Sequence, residues 1–392
     1  MATSPTLDLR TLAEAARQKG ITLLAAPDFT HPAWREEMRS ELELVADGIY
    51  SAHGANFILV TEISCIWRQD DRSRRVHLLL MVPGMETADC VSESLSAYQD
   101  LESDGRPMIK LSAAELYRLA LDADPKCVII PAHVWTPWYG VYGSKSGFDS
   151  LEECFGDMSQ HVPAIETGLS SDPAMNWAVP DVAGRAIVSF SDAHSPGTMG
   201  REVTVLDAGL DYATIRSALF ENRVVETVEF HPEHGKYHLN GHRKCLIRLT
   251  PEETPPDGRC PVCRRMLTLG VLERVQQLSA DQVDARLGKD GLIRGPAGRA
   301  PFRSLVPLRE LLAQALGTGV NSRRVMAVYS AMVQELGGEL NVLTAASESD
   351  LGRVANAKVA ACVTAVRSGE VEIEAGYDGV YGKVTAALRD NQ

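Results

Sequence analysis

The residues in this chain best suited to chemistry are an acid and a histidine spaced one apart, Asp192 and His194, at the end of the apolar run 186–190. A run of that length between breakers reads as a buried strand. Strand side chains alternate, so Asp192 and His194 leave its end on one side. A carboxylate with an imidazole is a donor set for Zn²⁺ or Mn²⁺. One such pair is weak, because a surface Asp beside a capping His has the same spacing. The event recurs, however. The strand-like run 21–26 delivers Asp28 and His31, and 56–61 delivers Glu62. The run 75–82 carries His77, 127–131 delivers His133, and 163–165 delivers Glu166. Acids and histidines at so many strand ends point to a metal centre.

The elements that must hold these groups alternate strand and helix through the first 229 residues. Helical spacing covers 6–20, with Gly20 as C-cap, 86–101 and 211–220. It also covers 112–121, where Ser112 and Glu115 form a capping box. A further short strand is expected at 202–207. Such alternation predicts a mostly parallel α/β sheet or barrel with its polar groups at the C-terminal strand ends. A chain of 392 residues should divide further. Boundaries fall at 229/230 and 287/288.

A second ligand pattern opens the middle segment. His242-x-x-Cys245, then fourteen residues, then Cys260-x-x-Cys263, gives two knuckles suited to a closed structural zinc. His238 or His234 would also serve as the fourth ligand. Pro251, Pro255, Pro256 and Gly258 fill the loop between, as befits a module too small for a core of its own. Arg243, Lys244, Arg248, Arg259, Arg264 and Arg265 make its surface basic, a candidate phosphate-backbone contact. The net charge is −13, yet residues 231–303 hold 13 Lys/Arg against 8 Asp/Glu, a local +5. The eight cysteines are otherwise dispersed, which favours a reducing cytoplasm over a disulfide scaffold. No apolar run has the roughly 20 residues a membrane helix needs, and no signal peptide opens the chain.

The stretch 288–299 (GKDGLIRGPAGR) reads as an exposed linker and contains no P-loop. Helical patterns cover 308–316, 322–336 and 349–368, and 371–373 with 376–384 reads as a hairpin.

In their order, Asp28 with His31, Glu62, His77, His133 and the Asp192/His194 pair resemble the PHP (polymerase and histidinol phosphatase) family of metal-dependent phosphoesterases. The runs DFTHPAW (28–34), PAHVWTPWYGVYGSKSGFDSLEECFGD (131–157), IETGLSSDPAMNW (165–177), SDAHSP (191–196), GKYHLNGHRKC (235–245) and GYDGVYGKV (376–384) are similar to the endonuclease Q branch.

The resemblance implies a distorted PHP-type β/α barrel, a zinc-binding module and a mainly helical C-terminal domain that contacts DNA. It implies hydrolysis of a DNA phosphodiester 5′ of deaminated bases (uracil, hypoxanthine, xanthine) or abasic sites. Damaged DNA is the implied partner, with replication and repair proteins as further ones, in a prokaryotic cytoplasm on the nucleoid. Zn²⁺ or Mn²⁺, with Mg²⁺ as a third option, would fill the active site. Glu62 would bridge two ions, His77 and His133 would serve one, and Asp192 with His194 another. Asp28 and His31 match the second motif, His31 as the direct ligand. Glu62, Asp192 and His194 are the expected catalytic residues.

A base-reading pocket is expected from Trp135, Trp138 and Tyr139, from Lys145 and Ser146 in a flexible turn, and from Glu166, Ser170, Ser171 and Asn176. Arg243 and Lys244 are expected on the DNA backbone.

In the family an Asp-Leu-His-x-His strand precedes the turn that Met1–Pro5 match, so that strand and its two histidines are expected upstream of a start set too late. Two alternatives follow: a small-molecule phosphatase of the superfamily, or a DNA-binding accessory protein with an impaired metal site.

Overall fold

The structure, a computed structural model, describes residues 7–103, 106–280 and 283–388; the turn at Met1–Pro5 lies outside them. The first helix, Leu9–Lys19, is set by its ends. Asp8 accepts from Thr11 N at 2.7 Å, and Gly20 closes the last turn at φ 80°. Its face of Leu9, Leu12, Ala13 and Ala16 is buried in the main core.

That core is built on a seven-stranded sheet of β1 (Leu23–Ala26), β2 (Glu43–Ala46), β3 (Ile49–Ala52), β4 (Ala55–Gln69), β5 (Arg72–Met81), β6 (Met108–Ile109) and β7 (Val128–Pro131). The order is β2-β3-β4-β5-β7, with β1 and β6 running parallel to β4. The expectation of a mostly parallel sheet is corrected here. β4 and β5 pair antiparallel from Val60↔Met81 to Gln69↔Arg72. The cause is the Asp70-Asp71 turn, both residues at positive φ (51° and 59°), a two-residue connection that only antiparallel strands can share. β4 runs well past residue 61, so Glu62 sits within a strand rather than at its end.

β8 (Ala164–Glu166) and β9 (Ala186–Val188) form a parallel pair whose residues are all buried. β10 (Val203–Leu206) pairs with β11 (Val224–Phe230). Among the described residues the ladders do not close into a barrel. The middle segment carries the hairpin β12 (Asn240–His242) and β13 (Ile247–Leu249). The stretch expected as a linker is instead ordered: β14 (Arg286–Leu287) and β15 (Ile293–Arg294) form a hairpin. It continues through β16 (Phe302–Leu305) onto β11, so one five-stranded sheet spans both sequence boundaries.

The C-terminal part packs helices Leu308–Leu316, Arg323–Glu335, Glu339–Thr344, Glu348–Val354 and Ala357–Arg367 around Leu311, Leu312, Met332 and Val363. The single helix expected over 349–368 is broken because Asn356 caps a new one, accepting from Val359 N at 3.0 Å. β17 (Val371–Glu374) and β18 (Lys383–Ala386) form the expected hairpin. Among the described residues no helix is long and apolar enough to cross a membrane.

A buried ion pair ties the first helix to this last unit. Lys19 Nζ lies 2.5 Å from Glu339 Oε2, which also accepts from Tyr329 Oη at 2.7 Å, while Leu308 N donates to Oε1 at 3.0 Å. Removing one partner of a buried pair strands the other, at a cost of about 3–5 kcal/mol. Lys19→Met should therefore lower stability by about 3 kcal/mol in urea unfolding. An unchanged midpoint would show that this pair does not hold the two units together.

Candidate metal centres

On β4 and β5, Ser64 faces His77 and Glu62 faces Leu79. Glu62 and His77 are thus diagonal neighbours on one face, within reach of long side chains. His133 arrives from β7, which pairs with β5; Ala132 N donates to His77 O at 3.0 Å. Three donor atoms converge: Glu62 Oε1 lies 2.7 Å from His77 Nδ1 and 3.5 Å from His133 Nε2, and the two nitrogens lie 3.0 Å apart. An ion with bonds of about 2.0–2.1 Å in tetrahedral geometry needs ligand atoms about 3.3 Å apart. The three atoms fit that requirement.

Neighbours aim each ligand. Arg106 holds the other Glu62 oxygen at 2.9 Å. Thr136 Oγ1 lies 2.9 Å from His133 Nδ1 and gives its own proton to backbone carbonyls. With an ion bound, Nδ1 would therefore keep its proton and Nε2 would be the ligand atom. Glu166 accepts the His133 N–H at 2.5 Å, and the Tyr139 ring packs 4.3 Å from the His77 ring. Gly168, at φ 57°, passes so close that a Cβ would stand 2.5 Å from His133 Cβ. Burial opposes charge on Glu62, but the imidazoles hold its carboxyl well below the usual range. Burial likewise opposes charge on His133, yet Glu62 raises it to about 9; His77 is lowered, mainly by burial.

Asp192 and His194 stand at the rim, outside this group, with side chains 38% and 49% exposed. His194 Nδ1 lies 2.9 Å from Asp192 O, and Arg201 donates to the Ser191 and Asp192 carbonyls. Asp192 still acts through its charge on both His133 and Glu166. Asp28, His133 and Asp192 all take positive φ (58°, 32° and 43°), a conformation costing of order 1–3 kcal/mol per residue that clusters at functional loops. His31, expected as a ligand, caps the helix Pro32–Glu41 instead. Its Nδ1 accepts from Trp34 N, and Nε2 lies 3.2 Å from Glu102 O.

The expected pocket residues divide. Trp135, Ser171 and Asn176 are wholly buried and satisfy one another: Trp135 Nε1 donates to Asn176 Oδ1 at 2.8 Å, and Asn176 Nδ2 to Ser171 Oγ at 3.2 Å. They hold the interior, with each of their side-chain donor groups engaged within the protein. Ser170 Oγ is buried too. Ser146 is also interior, donating to Arg75 O and accepting from Tyr139 N. The turn expected to be flexible is tightly packed, since a Cβ on Gly143 or Gly147 would collide with backbone carbonyl or amide atoms of the same loop. Trp138 and Lys145 reach the surface, as do Arg243 and Lys244.

Behind the site lies a layer of buried carboxylates. Burial pushes Glu166 and Glu229 up to about 8 and Glu202 well above its usual value. Glu229 accepts from Thr167, Ser189 and Thr227 hydroxyls. Glu166 is marked by its place after a strand-like run, but nothing in sequence spacing marks Glu202, Glu229 or Arg106.

The second centre gathers His242, Cys245, Cys260 and Cys263, with His242 Nδ1 3.3 Å from Cys263 Sγ. Each knuckle ends on a left-handed residue, Leu246 (φ 54°) after Cys245 and Arg264 (φ 62°) after Cys263. Burial raises the Cys260 thiol, but the Cys263 and Val262 N–H groups and His242 outweigh it, leaving Cys260 at about 6. A Cys₃His set with one thiolate ready fits structural Zn²⁺. The other candidates for the fourth position are engaged or apart: His234 Nε2 accepts from Val384 N, and His238 is buried away from the cysteines. The C-terminal turn clamps this module. Asp378 accepts from Arg243 N at 2.6 Å and Thr268 Oγ1 at 2.5 Å, and Gly379 N donates to Lys236 O at 2.8 Å.

Residues 307–370 match the family model of the MJ0043 C-terminal domain. The chain is 30% identical over 282 residues to the uncharacterized protein MJ0043 of Methanocaldococcus jannaschii, covering 69% of this chain but only 34% of that protein. It is 30% identical over 395 residues to the uncharacterized protein YqxK of Bacillus subtilis, covering 97% and 92% of the two. Two solved structures resemble it at TM-score 0.84 and 28% identity. One is the lesion-specific endonuclease PfuEndoQ from Pyrococcus furiosus, covering 98% of this chain and 92% of that one. The other is endonuclease Q in complex with a 27-mer duplex substrate with an abasic lesion at the active site, covering 100% and 95%.

Two outcomes test this geometry. Purified protein should hold about one zinc in the Cys₃His centre, and Cys260→Ser should release it and lower the melting temperature, whereas Cys90→Ser on a distant helix should do neither. Zinc content unchanged in Cys260→Ser would refute the centre. The second concerns pH. A carboxyl raised by folding contributes fully below its unfolded value, and the contribution is lost as pH climbs through the folded one. Stability should fall between about pH 5 and about pH 8 through Glu166 and Glu229. Glu229→Gln should flatten that fall in urea unfolding; an identical slope would place the effect elsewhere.

Proposed function

The chain belongs to the endonuclease Q family, and on that premise we propose that it is a metal-dependent DNA repair endonuclease, nicking on the 5′ side of deaminated bases or abasic sites. The observation that carries this reading is the convergence of Glu62 Oε1, His77 Nδ1 and His133 Nε2 on one point. In this reading the strands of residues 1–229 form the metal domain with a PHP-type barrel plan. Residues 230–287 form the zinc module, and 288–392 a mainly helical domain with DNA contacts.

A divalent ion at Glu62, His77 and His133 would activate water and neutralise phosphate charge. The chain's own groups do the positioning. Arg106 orients Glu62, while Thr136 and Glu166 orient His133. In this reading His194 and Asp192 act together at the rim, where His194 Nδ1 lies 2.9 Å from Asp192 O, with His194 Nε2 as the donor of a proton to the departing 3′-oxygen. Water adds to phosphorus, the P–O3′ bond breaks, and the 3′-oxygen leaves as a hydroxyl. The target base must leave the stack to be read, at a cost of a few kcal/mol that is lowest at weakened pairs. Tyr139, packed on His77, with the exposed Trp138 and Lys145, lines the approach.

Glu62→Gln should reduce nicking of a uracil-containing duplex by roughly a hundredfold or more, at least the loss seen for groups that merely support metal ligands. Affinity for the same DNA should change less than about twofold, because the basic module is untouched. Retained nicking in Glu62→Gln would overturn the assignment.

A further inference from the structure

Three segments far apart in sequence place aromatic rings and a lysine in one row, with Trp138, Lys236 and Tyr381 exposed and Tyr237 half-buried. Trp138, 42% exposed, immediately precedes Tyr139, whose ring packs on that of His77. Its ring meets that of Tyr237 at 5.6 Å and 66°. Lys236 Nζ stands 5.7 Å from the Tyr237 ring and 5.6 Å from that of Tyr381, which is 73% exposed. Folding does not require this. A tyrosine so exposed adds little to a core, and Gly379 N–Lys236 O already ties the two segments together. The row starts beside the Glu62/His77/His133 centre and ends at the tip of the C-terminal turn.

We propose that Trp138, Tyr237 and Tyr381, with Lys236 between the tyrosines, form a platform for an unpaired DNA strand leaving the metal centre. The occupant follows from chemistry. Aromatic faces with interleaved cations take nucleic-acid bases and phosphates, and stacking is indifferent to sequence. The charge is complementary, since Lys236, Arg243 and Lys244 lie in a segment of local net +5 within a chain of net −13. Ring orientation narrows the choice to single-stranded DNA. Duplex bases lie parallel and covered, whereas rings turned 66° from one another accept only bases freed from the stack. The identity of the ligand rests on the reading of the chain as a DNA nuclease, but its measurement is separate from cleavage.

The test is fluorescence anisotropy of a labelled oligothymidine with the full chain. Tyr381→Ala should weaken binding roughly five- to hundredfold, the alanine loss for one stacked base. Lys236→Gln should weaken it and reduce the salt slope by about one. Tryptophan quenching on binding should disappear in Trp138→Phe. Binding unchanged in Tyr381→Ala and Lys236→Gln would overturn the platform, whatever the enzyme cleaves. Binding that depends on these residues in a protein unable to nick damaged duplex would uphold the platform and defeat the nuclease reading.

Discussion

A carboxylate as deeply placed as that of Glu62 persists in charged form only where positive groups face it, because an unpaired buried charge costs several kcal/mol. Arg106 meets one oxygen and two imidazoles meet the other. Much of the local architecture follows from that constraint. β4 must run through residue 62 rather than stop before it, and the hairpin turn at Asp70-Asp71 must fix the register that sets His77 across from Ser64. β7 must then deliver His133 in a left-handed conformation, which Thr136, Glu166 and the close approach of Gly168 hold in place. A site this preorganised keeps its donor atoms within about half an ångström of where an ion needs them.

The Cys₃His module solves a different problem. Its strands β12 and β13 are three residues each, too few to build a core. Metal ligation would supply the missing cohesion, and the turn at 376–382 adds to it by hydrogen-bonding the module from outside. Asp378 is central to that clamp, capping the Arg243 amide next to ligand His242. The last segment of the chain thereby fixes the orientation of the middle one.

The sequence exposes some of this and conceals the rest for physical reasons. The Ser112–Glu115 box, the Asp8 and Gly20 ends and the Cys-x-x-Cys knuckle are local devices, complete within a few residues, and each is found where spacing predicts it. Glu62, His77 and His133 are brought together as their strand positions suggest. Arg106 is invisible because its role depends only on where the chain returns. Trp135 and Asn176 look like reading groups by residue type, yet burial decides that they bind each other. His31 looks like a ligand by motif, yet its position before Pro32 makes it a helix cap. The turn at Asp70-Asp71 determines the antiparallel centre of a sheet that helix–strand alternation alone makes parallel.

Charge raises a last question, how a chain of net −13 would approach a polyanion. The formal count treats every carboxyl as ionised, but burial raises Glu166 and Glu229 to about 8 and Glu202 well above its usual value, toward the protonated form. These groups lie behind the metal centre, so the field there is weaker than composition implies. Glu62 is charged but neutralised at contact by Arg106 and the imidazoles. The segment 231–303 carries 13 basic residues against 8 acidic ones. Fields of exposed charges fade beyond about 8–10 Å at ordinary salt. A polyanion lying along Lys236 and Arg243 would therefore respond to the local sign and not to the total. In a molecule of this size the net charge governs solubility and distant encounter, while the placement of a few unscreened groups decides where a polyanion can lie.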